Sequence, residues 1–134
     1  MTFIDQMEAL ARMLAAANFD VVTPVREEAT FDWAKASEAE AVARKAVYLT
    51  DYFDEIRRSD AVIIANYEKH EIDGYIGANT LMEAACGHAL RKPVYLLFAP
   101  GPQSCRIEAL AVASGVCNGS PDRLLDMLTA ASRQ

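Results

Sequence analysis

Two uninterrupted apolar runs, AVIIA at 61–65 and VYLLF at 94–98, constrain this chain most. Neither alternates polar with apolar residues, as a strand with one wet face must. Both therefore read as strands covered on both faces, and a helical pattern from about Thr80 to Leu90 lies between them. A strand, a helix and a second buried strand make a βαβ unit, which implies a parallel sheet.

The rest of the chain extends that alternation. Phe3, Met7, Leu10 and Leu14 fall at i, i+4, i+7 and i+11, with Ile4 and Ala11 beside them, so the opening segment is an amphipathic helix. Asn18 is its expected C-terminal cap. DVVTP (20–24) reads as a short buried strand ended by Pro24. Residues 25–36 read as polar and irregular; Phe31 and Trp33 are expected to pack against the sheet, with covering a groove as the alternative. Ser37 and Glu40 form a capping box for a long helix reaching about Arg58, striped by Val42, Ala46, Leu49, Phe53 and Ile56. A further helix runs from about Cys105 to Ala113. VCN (116–118) is a weak last strand. Ser120 and Pro121 open the final helix as N-cap and N1, with Leu124, Leu125 and Leu128 on its apolar face.

The expected fold is α/β, a flavodoxin-like or Rossmann-like three-layer sandwich on a parallel sheet. Such folds open on a strand and this chain opens on a helix. Either the sheet has four strands, or a fifth precedes the first residue. A chain of 134 residues reads as one domain, 1–134, and 52% hydrophobic residues exclude a disordered linker.

Charge and cysteine usage exclude several function classes. A net charge of −6 without a basic run disfavours nucleic-acid polymers and anionic membranes. No apolar stretch approaches the ~20 residues of a membrane span, and the acids within MTFIDQMEAL do not suit a signal peptide. Cys86, Cys105 and Cys117 are odd in number and lack CxxC spacing, which points to a reducing compartment. With two histidines, His70 and His88, zinc has few ligands to draw on. No P-loop, GxGxxG or GxSxG motif is present.

Ligands of open α/β sheets bind beyond the carboxyl ends of the strands. The richest loop there, NYEKHEIDGYIGANTLME, follows the first buried run and exceeds the usual 2–6 residues. It carries Asn66, Tyr67, Tyr75, Gly77, Asn79 and Thr80, and then reaches Glu83. At a helix N-terminus Glu83 would be held ionised, as a nucleophile must be. Thr80-Leu81-Met82-Glu83 is equally a capping box, so Glu83 reads either as a cap or as a nucleophile. Gly87, one turn on, is expected to clear space beside it. Asp60 reads as part of a helix-to-strand turn, Asp51 and Asp54 as solvated helix carboxylates, His88 as partly buried and Cys86 as a small core residue. Ser104, at the start of a helix and near Arg106, is a candidate phosphate donor with helix capping as its alternative.

Residues 59–98 resemble the nucleoside 2-deoxyribosyltransferase-like superfamily, which includes deoxyribosyltransferases and deoxynucleoside 5′-monophosphate N-glycosidases. The matching features are Asp60, strand 61–65, Gly77, Thr80, Glu83, Gly87 with Ala89, Lys92-Pro93 and strand 94–98. Asn66, Tyr67, Lys69, Tyr75, Ile76, Gly77, Asn79 and Thr80 match one branch of it. The resemblance implies that Glu83 attacks the anomeric carbon of an N-glycoside, releasing the nucleobase, and that water or a second base resolves the glycosyl ester. It implies a pocket lined by Asn66, Tyr75, Gly77, Asn79 and Thr80, with Ser104 toward any 5′-phosphate. It implies a small-molecule nucleoside or nucleotide as substrate, no metal or cofactor, a cytoplasmic enzyme and a homodimer or higher homo-oligomer. The family acid on the preceding helix aligns with Tyr52. Asp51 stands one residue away, a turn of about 100°. The family's opening strand and small-residue loop have no counterpart before the first helix, so part of the pocket is either missing or supplied by a neighbouring subunit. The alternative reading is a non-catalytic nucleotide-binding or sensing module on the same fold.

Overall fold

The computed structural model describes residues 3–24, 28 and 30–133. The described residues include five helices and three strands in the order α1 (Phe3–Ala16), α2 (Glu38–Arg58), β1 (Val62–Ile64), α3 (Ala78–Ala89), β2 (Val94–Leu96), α4 (Arg106–Val112), β3 (Gly115–Val116) and α5 (Pro121–Ser132). They fall in two compact units, Met1–Glu55 and Ile56–Gln134.

In the first unit, α1 buries Ile4 and Leu14 as its periodicity requires; the Phe3 side chain lies outside the described part. The helix ends in a Schellman motif. Asn18 takes φ +72°, its N–H donates to the Ala15 carbonyl, and the Phe19 N–H reaches back to Leu14. The strand expected at 20–24 does not form: residues 19–24 are irregular, and Val21 and Val22 are 37% and 64% exposed. β-Branched residues favour a strand only where a ladder and a covered face receive them, and adjacent valines would face opposite sides.

Of the stretch 25–36, residues 25–27 and 29 lie outside the described part. Phe31 and Trp33 pack together within this unit. Trp33 meets Phe31 edge to face at 4.6 Å and Tyr48 of α2 at 6.4 Å, and Lys45 lies over its ring. Ser37 caps α2 as expected, its hydroxyl accepting from the Glu40 N–H at 3.1 Å. The apolar stripe on α2 is partly misassigned. Val42 is 62% exposed and Ala46 is also exposed; Leu49 and Phe53 are half-buried and Ile56 is buried as expected, and Ala41, Lys45, Tyr48 and Tyr52 form a second half-buried row. That row is half polar, so hydropathy alone could not find it.

The second unit is a Rossmann-like sandwich on an open parallel sheet, in the order β1-β2-β3. Among the described residues three strands stand where four or five were expected, because 20–24 is irregular; the last strand is present but holds only Gly115 and Val116. Val62 and Val94 are register partners, and both lie against Gly87 of α3. A Cβ on Gly87 would stand 2.8 Å from one valine methyl and 3.1 Å from the other. Gly87 therefore seats α3 on the sheet instead of clearing space around Glu83. Alternation turns Tyr95 to the opposite face, where its hydroxyl donates to the Met127 carbonyl of α5 at 3.4 Å. Helix α4 lies beside α3, so the layers are α3 with α4, the sheet, and α5. The core holds Val94 and Leu96 at 0% exposure, with Ala84, Ala109, Cys117 and Leu124 around them. Ser120 and Pro121 start α5 as expected, Ser120 accepting from the Arg123 N–H, and Leu124 and Leu128 are buried.

The loop after β1 turns back at 69–72. Lys69 and Ile72 exchange both backbone hydrogen bonds, and His70 and Glu71 take φ +52° and +60°. This is a type I′ turn, which favours Asn-Gly. Two side chains are thus held left-handed. Relief of about 1–2 kcal/mol, less glycine's backbone entropy of about 0.5–1 kcal/mol, leaves about 1 kcal/mol to gain. Glu71→Gly should raise the midpoint of thermal unfolding followed by circular dichroism; a lowered midpoint would contradict this geometry.

Candidate functional site

The carboxyl edge of the sheet is built from the loops after β1 and β2. Asn66, two residues past β1, is 1% exposed. Its Oδ1 accepts from the Phe98 N–H at 2.9 Å, and its Nδ2 donates to the Phe98 carbonyl at 2.7 Å. A side-chain amide thus copies a backbone bridge and continues the β1–β2 pairing beyond its last strand residues. The same Nδ2 stands 3.5 Å from the Gly74 carbonyl. Asn66, expected among the substrate contacts, has its amide committed to this frame.

The two loops then meet backbone to backbone. Gly101 donates its N–H to the Asp73 carbonyl at 2.8 Å. Gly74 takes φ +65°, and a Cβ there would fall 2.2 Å from the Ala99 oxygen; one on Gly101 would fall 2.5 Å from the Asp73 oxygen. Larger residues would push the loops apart. Gln103 closes the contact. Its Oε1 accepts from the Ile76 N–H at 2.9 Å, and its Nε2 donates to the Gly74 and Gly101 carbonyls at 3.1 and 3.3 Å. Sequence reasoning missed Gln103, Gly74, Gly101 and Phe98. The segment APGPQ looked like a turn and nothing more, and its glycines would have been the available signal.

The loop delivers the chain to α3 two residues earlier than expected. Gly77, extended at φ −80° and ψ 173°, is the N-cap, and its carbonyl accepts from the Leu81 N–H. Thr80 is the third helical residue rather than the cap, and Glu83 is the sixth. The helix has no acid in its first turn. Glu83 therefore completes no capping box with Thr80 as N-cap, and the end dipole, which fades within one turn, is not what would hold its carboxylate ionised. Its position on the sheet is more informative. Glu83 precedes Gly87 by four residues and shares its face, about 6 Å nearer the helix start. Gly87 sits over Val62 and Val94, the first residues of β1 and β2, so Glu83 lies toward their carboxyl ends. Its side chain is half-buried beside the equally half-buried Cys86. Burial pushes the Cys86 thiol up; Arg57 opposes that and Glu83 reinforces it.

Tyr75 is half-buried over the N-cap. Its Cε1 would stand 3.5 Å from a Cβ on Gly77, an ordinary contact, and its ring meets His70 at 5.2 Å. Tyr67 packs edge to face on Phe98 at 5.8 Å, and burial pushes its phenol up. Asn79 and Thr80 are half-buried in the first turn of α3. Ser104 is exposed just before Cys105, which is the N-cap of α4, and Arg106 gives its Nε to the Pro100 carbonyl. Asp60 and His88 are exposed, the latter against expectation; the short helix turns it away from the sheet. Asp51, exposed, and Tyr52 belong to the first unit. The Tyr52 hydroxyl donates to Glu28 Oε2 at 2.6 Å, and Lys45 holds Oε1 at 2.8 Å.

Among the described residues, no three His, Cys, Asp or Glu side chains are grouped to hold a metal ion, and no helix is long and apolar enough to cross a membrane. Comparison with protein-family models, characterised proteins and solved structures finds no match.

The frame can be tested through Asn66. Asn66→Ala leaves the part-buried Phe98 N–H and carbonyl without this partner, at about 1–3 kcal/mol each. Urea unfolding should show a loss of about 2–4 kcal/mol. A loss below about 0.5 kcal/mol would mean that the bridge does not hold the loops.

Proposed function

We propose that this chain cleaves or transfers the N-glycosidic bond of a nucleoside or nucleoside 5′-monophosphate, with Glu83 as nucleophile. The observation that carries the reading is the position of Glu83. It is a half-buried carboxylate on the face of α3 that Gly87 turns to the sheet, toward the edge where α/β sheets take ligands. The resemblance of residues 59–98 to the nucleoside 2-deoxyribosyltransferase-like superfamily supplies the reaction.

A Glu83 oxygen bonds to the anomeric carbon as the carbon–nitrogen bond breaks, and the base leaves with the electron pair and is protonated. Water attacks the resulting ester at the same carbon, returns the carboxylate and gives the free sugar. In the transferase variant a second base takes the place of water. Tyr75, Asn79 and Thr80 surround the entry to α3 and are the proposed substrate contacts, with Gly77 giving backbone access beside them. Asn66 acts through the loop frame. Ser104 is the proposed phosphate contact. The reading includes a cytoplasmic homodimer or higher homo-oligomer. The three free cysteines suit a reducing compartment.

The test is base release. The protein is incubated with deoxynucleosides and their 5′-monophosphates, and free base is followed by chromatography. Glu83→Gln should cut the rate by about 100-fold or more. Undiminished release from Glu83→Gln would refute the nucleophile. Binding without release by the unaltered protein would favour the non-catalytic module.

A further inference from the structure

Helix α3 is pinned to the second unit at two places, and Glu83 lies between them. The far pin is Gly87, wedged against Val62 and Val94. The near pin is Ile76, 4% exposed and immediately before the N-cap. Both backbone groups of Ile76 are held from the loop after β2. Its N–H goes to Gln103 Oε1 at 2.9 Å, and its carbonyl accepts from the Cys105 thiol at 3.6 Å. Gln103 makes the stronger tie. With its Nε2 on the Gly74 and Gly101 carbonyls, it also closes both loops upon each other.

We propose that Gln103 is a positioning residue for the reaction at Glu83, fixing the start of α3 and with it the reach of the carboxylate. This rests on the function proposed above. Removing the carboxamide frees the Ile76 N–H and the two glycine carbonyls together, so the first turn of α3 gains a freedom that Gly87, nearly three turns away, cannot suppress. A carboxylate displaced by about 1 Å from its line of attack can lose two orders of magnitude in rate while the substrate still binds.

The experiment compares Gln103→Leu with the milder Gln103→Asn, which keeps the amide on a shorter stem. Base release gives kcat and KM, and hydrogen exchange gives the state of individual amides. The expected result is a fall in kcat of about tenfold or more with KM within about twofold. The Ile76 amide should exchange faster while that of Leu97, which donates to the Ile64 carbonyl just past β2, stays protected. In the Glu83→Gln background, Gln103→Leu should cause no further loss, because its effect passes through Glu83. The proposal is overturned if kcat is unchanged, if the loss adds in full to that of Glu83→Gln, or if Ile76 exchange does not change in either variant. If the unaltered protein releases no base from any substrate, the catalytic reading falls and takes this role with it. Faster Ile76 exchange in that case would show that the clamp itself is real and that the chemistry was misassigned.

Discussion

The exchange of two hydrogen bonds between the Asn66 carboxamide and the backbone of Phe98 is the constraint on which the second unit's functional edge depends. The strands are short: β1 and β2 each have three residues, and β3 has two. Pairing over so few residues would normally give way to loose loops at the carboxyl edge. Asn66 supplies both an acceptor and a donor, as a backbone residue would, and carries the pairing past the strand ends. An apolar residue at 66 would leave two part-buried polar groups of Phe98 unmatched, and a carboxylate would offer no donor to its carbonyl. The close approach of Gly74 to Ala99 and of Gly101 to Asp73 follows once that bridge is in place.

The same frame explains where Glu83 stands. The chain enters α3 from Ile76, whose position is set by the clamped loops, and the helix lies on the sheet at Gly87. The carboxylate's exposure and neighbours are consequences of those two fixed points. Its charge cannot be credited to the helix end, since it is the sixth helical residue. Any activation as a nucleophile must come from the half-buried surroundings at the carboxyl edge.

Features set by local chemistry were legible in the sequence. Asn18 closes α1, Ser37 caps α2, Ser120 with Pro121 starts α5, and the runs at 61–65 and 94–98 contain β1 and β2. Features set by distant partners were not. Val21 and Val22 have the composition of a strand but no ladder to join. The second half-buried row of α2 runs through Lys45 and Tyr52, because Glu28 and Trp33 receive them, and no periodicity of apolar residues marks that choice. At the candidate site, Glu83 and its loop were identifiable from residue type and spacing. Gln103 was not, because its importance lies in three backbone groups that come together only when two loops fold against each other.

The most direct test of the frame is the hydrogen-exchange protection of the Phe98 amide. Phe98 lies beyond β2, in a bend, where an amide ordinarily exchanges quickly. If Asn66 extends the pairing, that amide should be protected to the same degree as that of Leu97, the first residue past β2, which donates to the Ile64 carbonyl. Both should then open together as denaturant is added. Exchange of Phe98 at the rate of an open loop, with Leu97 still protected, would contradict the account.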